Sequence, residues 1–512
     1  MRLGRAASGC ENQAGNATTD RLVGAIAAHA AARPEATALI WRDEEVGYGE
    51  LVLRASRARA ALVALGLEPC APVAVRAEKT PDTIALVLGA MSAGHPVLLM
   101  STTLPRATET HLLDNARCHV TMSAAPSPSA GHVVDLSTSD GLVPWPLTDH
   151  DGGPDAVLFL LTSSGSTGVP KIVPLTAGGV GRFVGWARAA FFGSGPKTAL
   201  NYAPLNFDLC LLDIWTTLAA GGKVVLVDAA RATRAGYLHE LLDRHRVHLV
   251  QAVPMCFQLL LESTAGPHRA VRHVISTGDV LPPRNAHRLR GLFPGARLYN
   301  LYGCTETNDS FLHHIDGARQ DAPIPLGRPI DGVSALLVDA NGAVVEGEGV
   351  GELLVNTPFQ APGYLDAALT ERAFVPHPEG ADRLRYFASG DLVRRDASGE
   401  LTLVGRNDFQ VKVRGSRVNT QEVERALLAH PDVPEAVVFG EPDALAGTVL
   451  HAVVRRRATG SPDSLALRRH CAAQLPAAAV PAVLHLVDAA LPRTSTGKPD
   501  RKQIASTYSK GH

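Results

Sequence analysis

Leu161-Thr162-Ser163-Ser164-Gly165-Ser166-Thr167-Gly168-Val169-Pro170-Lys171 lies between two apolar runs, Ala156 to Leu161 and Ile172-Val173-Pro174-Leu175. Both runs have the length and composition of strands, so the stretch reads as a turn joining them. Its glycines allow tight backbone conformations, and its hydroxyls and backbone N–H groups could wrap the oxygens of a polyphosphate, with Lys171 adding a point charge. A flexible Ser/Gly linker is the bland alternative, but linkers seldom sit between two buried strands or end in Pro-Lys. The stretch is not a P-loop, whose lysine follows the last glycine directly and opens a helix. Here Lys171 comes three residues after Gly168 and opens a strand. A serine-hydrolase elbow, Gly-x-Ser-x-Gly, is absent, the nearest miss being Ala90-Met91-Ser92-Ala93-Gly94.

A chain of 512 residues, 46% hydrophobic and 19% charged, is expected to form more than one globular domain. Lys plus Arg at 49 against Asp plus Glu at 50 leaves a formal charge of −1, which gives no footprint for nucleic acid or an anionic membrane. The seven cysteines are scattered without a Cys-x-x-Cys pair, a pattern that suits a reducing cytoplasm. No apolar run approaches the ~18 residues of a membrane span. Residues 1–20 are small and polar, without the apolar core of a secretory signal, and are expected to be a disordered leader. His313-His314 and His245-x-x-His248 lack the companions of a metal site and read as solvated or core histidines.

Helical faces at Arg21 to Pro34, Gly49 to Leu65 and Pro81 to Ser92 alternate with strands at Thr37 to Trp41, Val73 to Val75 and Pro96 to Leu99. That rhythm predicts a largely parallel sheet layered by helices. Asn206-Phe207-Asp208-Leu209-Cys210-Leu211-Leu212-Asp213-Ile214-Trp215 sets a carboxylate among apolar residues. Asp208 is either a helix N-cap or a buried anion that needs a cation or donors. Strands ending near Val253 and Thr277 should place their C-terminal ends where an open α/β sheet holds its ligand. Tyr299-Asn300-Leu301-Tyr302-Gly303-Cys304-Thr305-Glu306-Thr307-Asn308-Asp309-Ser310 reads as a loop of turn-formers carrying a ring, a hydroxyl and a carboxylate. From Gly327-Arg328-Pro329 to Val355 short strands with turns predict a small antiparallel region. Beyond Gly405-Arg406-Asn407-Asp408, Asn419-x-x-Glu422 looks like a capping box, and strands at Ala436 to Phe439, Val449 to Val454 and Val483 to Val487 predict a compact α+β domain.

In order and spacing these stretches resemble the adenylate-forming superfamily, which includes acyl-CoA synthetases, firefly luciferase and the adenylation domains of nonribosomal peptide synthetases. The likeness runs from Arg21 to Ile504 through five motifs: the Ser/Thr/Gly loop, Phe207-Asp208, Asn300-x-Tyr302-Gly303-x-Thr305-Glu306, Ser389-Gly390-Asp391, and Leu491-Pro492-x-Thr494-x-x-Gly497-Lys498-x-Asp500-Arg501. Ile172 stands where the family has glycine, Cys210 where it has serine and Cys304 where it has proline. The resemblance implies an α/β and α+β fold. A large N-terminal domain of layered sheets, helices and a small β region would cover 21–407, and a small mobile α+β domain 408–512. It implies ATP and Mg²⁺. Thr162, Ser163, Ser164, Gly165, Ser166, Thr167, Gly168 and Lys171 would hold phosphate; Asn300, Tyr302, Thr305, Asp391 and Arg406 would hold the rest of the nucleotide. Glu306 would be the metal ligand, Asp408 the hinge, and Lys498, Glu306, Thr305 and Thr162 the catalytic group.

The same resemblance makes Asp208 the partner of a substrate ammonium, which implies an amino acid. The pocket would be Asp208, Leu209, Leu212, Ala252, Ile275, Thr277, Leu301, Asp309, Ser310 and Lys498. The run Phe207 to Trp215 looks most like freestanding prolyl-carrier-protein ligases. The implied reaction is activation of L-proline or a close analogue, with transfer to the phosphopantetheine arm of a separate peptidyl carrier protein. Asp309 departs from that pattern and keeps a polar or β-amino acid open, and an acyl- or aryl-CoA ligase is the rival enzyme.

Overall fold

A computed structural model describes residues 22–102, 104, 106–124, 132–133, 146–149, 152–163, 170–193, 195–317, 322–413, 416–443, 447–457, 462–475, 479–494 and 497–509. The expected leader and Ser164 to Gly168 lie outside these residues. The first helix, Leu22–Ala32, stops ahead of Arg33-Pro34, where proline disfavours helical backbone in the residue before it. Pro81–Ser92 starts on a Thr80 cap with proline in its first turn and has every residue buried except Asp82, so it is a core helix between layers. It approaches Tyr48–Ala64 closely enough that a Cβ on Gly89 would sit 2.6 Å from the Ala55 carbonyl oxygen.

Two sheets flank the main core. One has nine strands, and its six central strands, from Thr37–Trp41 through Lys223–Leu226, Thr198–Asn201, Leu249–Ala252 and His273–Thr277 to Arg297–Cys304, are parallel. The other has six strands, among them Val73–Arg76, Val97–Met100, Val157–Ser163 and Lys171–Thr176. The period-2 alternation of strands divides their side chains between layers. Val224 and Leu226 join the core between the sheets, whereas Val225 and Val227 join a second core under Ala235–Arg244, Pro254–Glu262 and Pro283–Leu292. Among the described residues no helix is long and apolar enough to cross a membrane.

A five-stranded antiparallel sheet from Ser334–Val338 to Leu401–Arg406 follows. Arg328–Pro329, expected to open this region, instead pairs with Asn308–His314 at the edge of the nine-stranded sheet. After a short turn at Asn407–Phe409 the chain forms a separate three-stranded sheet, Glu435–Asp443, Gly447–Arg455 and Val483–Val487. Val438 and Val454 face Thr420–Leu428 and Ser464–Ala472, while Val437 and Val453 face Ile504 of Arg501–Tyr508. Asn419 caps Thr420–Leu428 by accepting from the Gln421 N–H at 2.9 Å, which satisfies one of the unpaired donors of the first turn.

Candidate active site

One hairpin organises the site. Residues 299–310 do not form the expected loop: Arg297–Cys304 and Asn308–His314 pair antiparallel, and only Thr305, Glu306 and Thr307 turn between them. The strands form because Tyr299 and Leu301 bury on the main core and Phe311 on the next one. Gly303 is required, since a Cβ there would lie 2.2 Å from the Asn308 carbonyl oxygen. The turn is clamped from outside: Ala361 N–H donates to Glu306 O at 2.9 Å, Thr357 Oγ1 to Thr307 O at 2.7 Å, and Asn308 Nδ2 to Phe359 O at 3.2 Å.

Three carboxylates meet at this hairpin, one its own and two from other segments. The Glu306 side chain accepts from Ser163 Oγ at 2.9 Å and from Tyr364 O–H at 2.7 Å, both on Oε1. Lys171 stands 5.0 Å above the Tyr364 ring, so Ser163 and Lys171, on the two sides of the Ser/Thr/Gly stretch, meet the same Tyr364–Glu306 pair. Thr162 alternates to the other sheet face, where its pairing partner Ile172 packs. The sequence reading did not single out Tyr364; an aromatic directly after Pro362-Gly363 was the available signal.

The second group is Asp208. It is not an N-cap: its carboxylate accepts from Thr305 Oγ1 at 2.8 Å. Burial pushes its pKa up, with Glu306 adding to the rise, while the Thr305 hydroxyl and the Lys498 charge oppose it. Asp309, on the returning strand, is held well above the ordinary carboxylate range by burial and by Asp208. Leu212, Ile275 and Leu301 share the core on this side, and Leu209 packs against it. Thr277 is buried at the end of its strand, and Ser310 is buried 3.3 Å from Thr307 Oγ1. Ala252 does not join them. It packs in the core on the opposite sheet face with Val250 and Val274, because alternation along Leu249–Ala252 gives the site side to Gln251.

The third group is Asp391, which accepts from the Tyr302 hydroxyl and pairs with Arg406 Nη1 at 2.9 Å. Its two oxygens can serve two adjacent hydroxyls beside an aromatic face. Asn300, expected with this group, donates its amide to Pro325 O at 2.7 Å.

The small domain reaches the same cleft. A Cβ on Gly497 would meet Met255 Cε at 2.8 Å, and Lys498, which follows, is within electrostatic reach of Asp208. Its loop is held by Thr494 N–H to Lys498 O at 2.8 Å and Arg493 Nη1 to Gly497 O at 2.8 Å. Arg284 of the large domain donates to His430 O and Val433 O at 3.4 and 3.3 Å. Asp408 falls in the turn Asn407–Phe409 between the domains. Among the described residues no three His, Cys, Asp or Glu side chains gather as a metal cluster.

The family described as AMP-binding enzyme matches residues 26–365, and that described as AMP-binding enzyme C-terminal domain matches 422–498. The chain is 30% identical to the L-proline--[L-prolyl-carrier protein] ligase of Streptomyces coelicolor over 519 residues, 94% of this chain and 95% of that protein. It is 32% identical to a linear gramicidin synthase of Brevibacillus parabrevis over 92% of its own length, but spans only 9% of that protein. Among solved structures, Klebsiella oxytoca NpsA in complex with 3-hydroxyanthranilyl-AMSN superposes with a TM-score of 0.81 at 22% identity, covering 95% of this chain and 99% of that one.

Proposed function

Since the chain belongs to the AMP-binding enzyme family, we propose that it activates a small amino acid with ATP and passes it to the phosphopantetheine thiol of a separate peptidyl carrier protein. The observation that carries this reading is Asp208, a carboxylate set between Phe207 and Leu209, which pack on the apolar core, and hydrogen-bonded by a neutral hydroxyl, Thr305 Oγ1. A buried anion in an apolar pocket calls for such a partner, and an ammonium supplies it.

The substrate carboxylate attacks the α-phosphorus of ATP, and the bond to the bridging oxygen breaks. Pyrophosphate leaves and an acyl adenylate forms. The substrate carboxylate is already ionised, so no proton has to be removed. The Tyr302 ring takes the purine, Asp391 accepts from the ribose hydroxyls, and Arg406 holds Asp391 in place. Ser163, Lys171, Thr305 and Lys498 surround the phosphates and favour the charge that develops there. Mg²⁺ fits Glu306: it takes one or two protein carboxylates together with phosphate oxygens, and both hydrogen bonds to the Glu306 carboxylate fall on Oε1. When bound, that ion supplies positive charge to the phosphate oxygens. Rotation at Asp408 then withdraws Lys498, and the thiol attacks the acyl carbon with AMP as the leaving group.

L-proline is the first substrate to test, given the activity named for the Streptomyces coelicolor relative. Asp309 supports a second reading. A second half-buried carboxyl within electrostatic reach of Asp208 suits a hydroxyl or a second amine on the substrate, a group that proline lacks. Amino-acid-dependent ATP–pyrophosphate exchange across proline, hydroxyprolines, diamino acids and β-amino acids separates the two. Exchange only with acids lacking an amine would move the protein to the CoA-ligase class.

Two further outcomes are expected. Asp391→Asn should raise the KM for ATP by about 10- to 100-fold, the worth of ~1.5–3 kcal/mol for hydrogen bonds to a charged group. An unchanged value would remove Asp391 from the ribose site. The acid limb of kcat/KM for the amino acid should lie above the ordinary carboxylate range of about 4. Asp208 has a raised pKa, is neutral below it and binds the ammonium only when ionised, so activity is lost on acidification earlier than for a solvated carboxylate. A limb within or below that range would contradict the assignment.

A further inference from the structure

The turn that presents Asp208 is held from behind by a side chain that no motif contains. Phe207 to Cys210 form tight turns, with Phe207 N–H to Pro204 O and Cys210 N–H to Phe207 O both at 3.1 Å. The chain then widens at Leu211–Thr216 into a π-helical turn, a local irregularity often found at functional sites. At the junction the Leu209 carbonyl accepts from Leu212 N–H at 3.2 Å and Asp213 N–H at 3.3 Å. It also accepts from Gln251 Nε2 at 2.9 Å, the shortest of the three and the one that comes from outside the segment. The same amide nitrogen donates to Asp213 Oδ1 at 3.2 Å, while Asn201 Nδ2 donates to Asp213 Oδ2 at 3.4 Å. Gln251 and Asp213 are both buried, and so is Lys79, which donates to Tyr202 O at 2.9 Å and whose charge acts on Asp213. Gln251 comes from the strand beside Ile275, so it ties the turn to the rigid sheet.

We infer that Gln251 is a positioning residue for amino-acid recognition: its carboxamide fixes the Leu209 carbonyl and thereby aims the preceding Asp208 carboxylate at the substrate ammonium. The inference rests on the proposed function and deepens it. Gln251 touches neither reactant; it acts through the peptide next to Asp208. Its loss therefore affects the ammonium contact and spares the nucleotide.

The test uses Gln251→Met, which keeps the length of the side chain and removes its donors, in pyrophosphate exchange with the amino acid that the wild type prefers. The KM for the amino acid should rise about tenfold, with kcat and the KM for ATP within twofold. The inhibition constant of the corresponding desamino acid should not move, because that ligand has no ammonium. Should Gln251→Met lose its cooperative melting transition, Gln251→Leu is read in the same way, since it too removes the donors and adds no charge beside the buried Asp213. An unchanged amino-acid KM in a folded variant overturns the positioning role. So does an equal change for the amino acid, the desamino acid and ATP, which marks a general loss of structure. Wild-type exchange that ignores the amine overturns the proposed function itself, an outcome read before any variant is made.

Discussion

Lys498→Ala should lower the rate of adenylate formation on the order of 10²–10³-fold, the range found when one preorganised donor to a developing charge is removed. The dissociation constant for ATP should change by less than threefold. The reason is where the side chain sits. Lys498 is exposed, its loop is held by backbone bonds of Thr494 and by Arg493, and it belongs to neither domain's core. Truncation therefore leaves intact the fold and the nucleotide contacts proposed for Tyr302 and Asp391. Single-turnover adenylation and calorimetric ATP titration measure the two effects separately. Normal adenylation would remove Lys498 from the first half-reaction, and a parallel loss of ATP binding would make it a ground-state contact.

Asp208→Ala should cost on the order of 10²–10³ in kcat/KM for the amino acid, as expected when one partner of a buried charge pair is removed at ~2–5 kcal/mol. Part of that cost falls on Thr305, whose hydroxyl loses its acceptor. The KM for ATP should stay near the wild-type value, and discrimination between the amino acid and its desamino analogue should disappear. Retained discrimination would exclude the ammonium role. Comparing the two variants separates the two proposed roles, that of Lys498 at the reacting carboxylate and phosphate and that of Asp208 at the amine.

The parts of the fold carried by local signals were readable in the sequence. Thr80 ahead of Pro81, Asn419 ahead of Thr420 and the apolar strand Val483–Val487 all state their structure within a few residues. The motifs also gathered Asp208, Thr305, Glu306 and Asp391. What the sequence could not state was which face each side chain takes and what meets it from far along the chain. Ser163 reaches Glu306 across 143 residues, Gln251 reaches Leu209 across 42, and Tyr364 reaches Glu306 across 58. Ala252 illustrates the same limit at short range. A one-residue choice of face decides whether a strand residue lines a pocket or a core, and that choice depends on the layer packed behind it. The turn-rich stretch around Gly303 hid a hairpin because its strand character comes from partners in neighbouring layers, not from its own composition.

The hairpin Arg297–His314 bears Tyr302, Thr305, Glu306 and Asp309 on a single frame pinned by Thr357, Phe359 and Ala361. A protein engineer meets this as a frozen wall. Shifting that backbone to admit a bulkier substrate would also drag the side chains proposed to meet the purine and the metal. Room for new substrates would have to be cut from the proposed facing wall, at Leu209, Leu212 and Ile275, which lie on other segments than the hairpin.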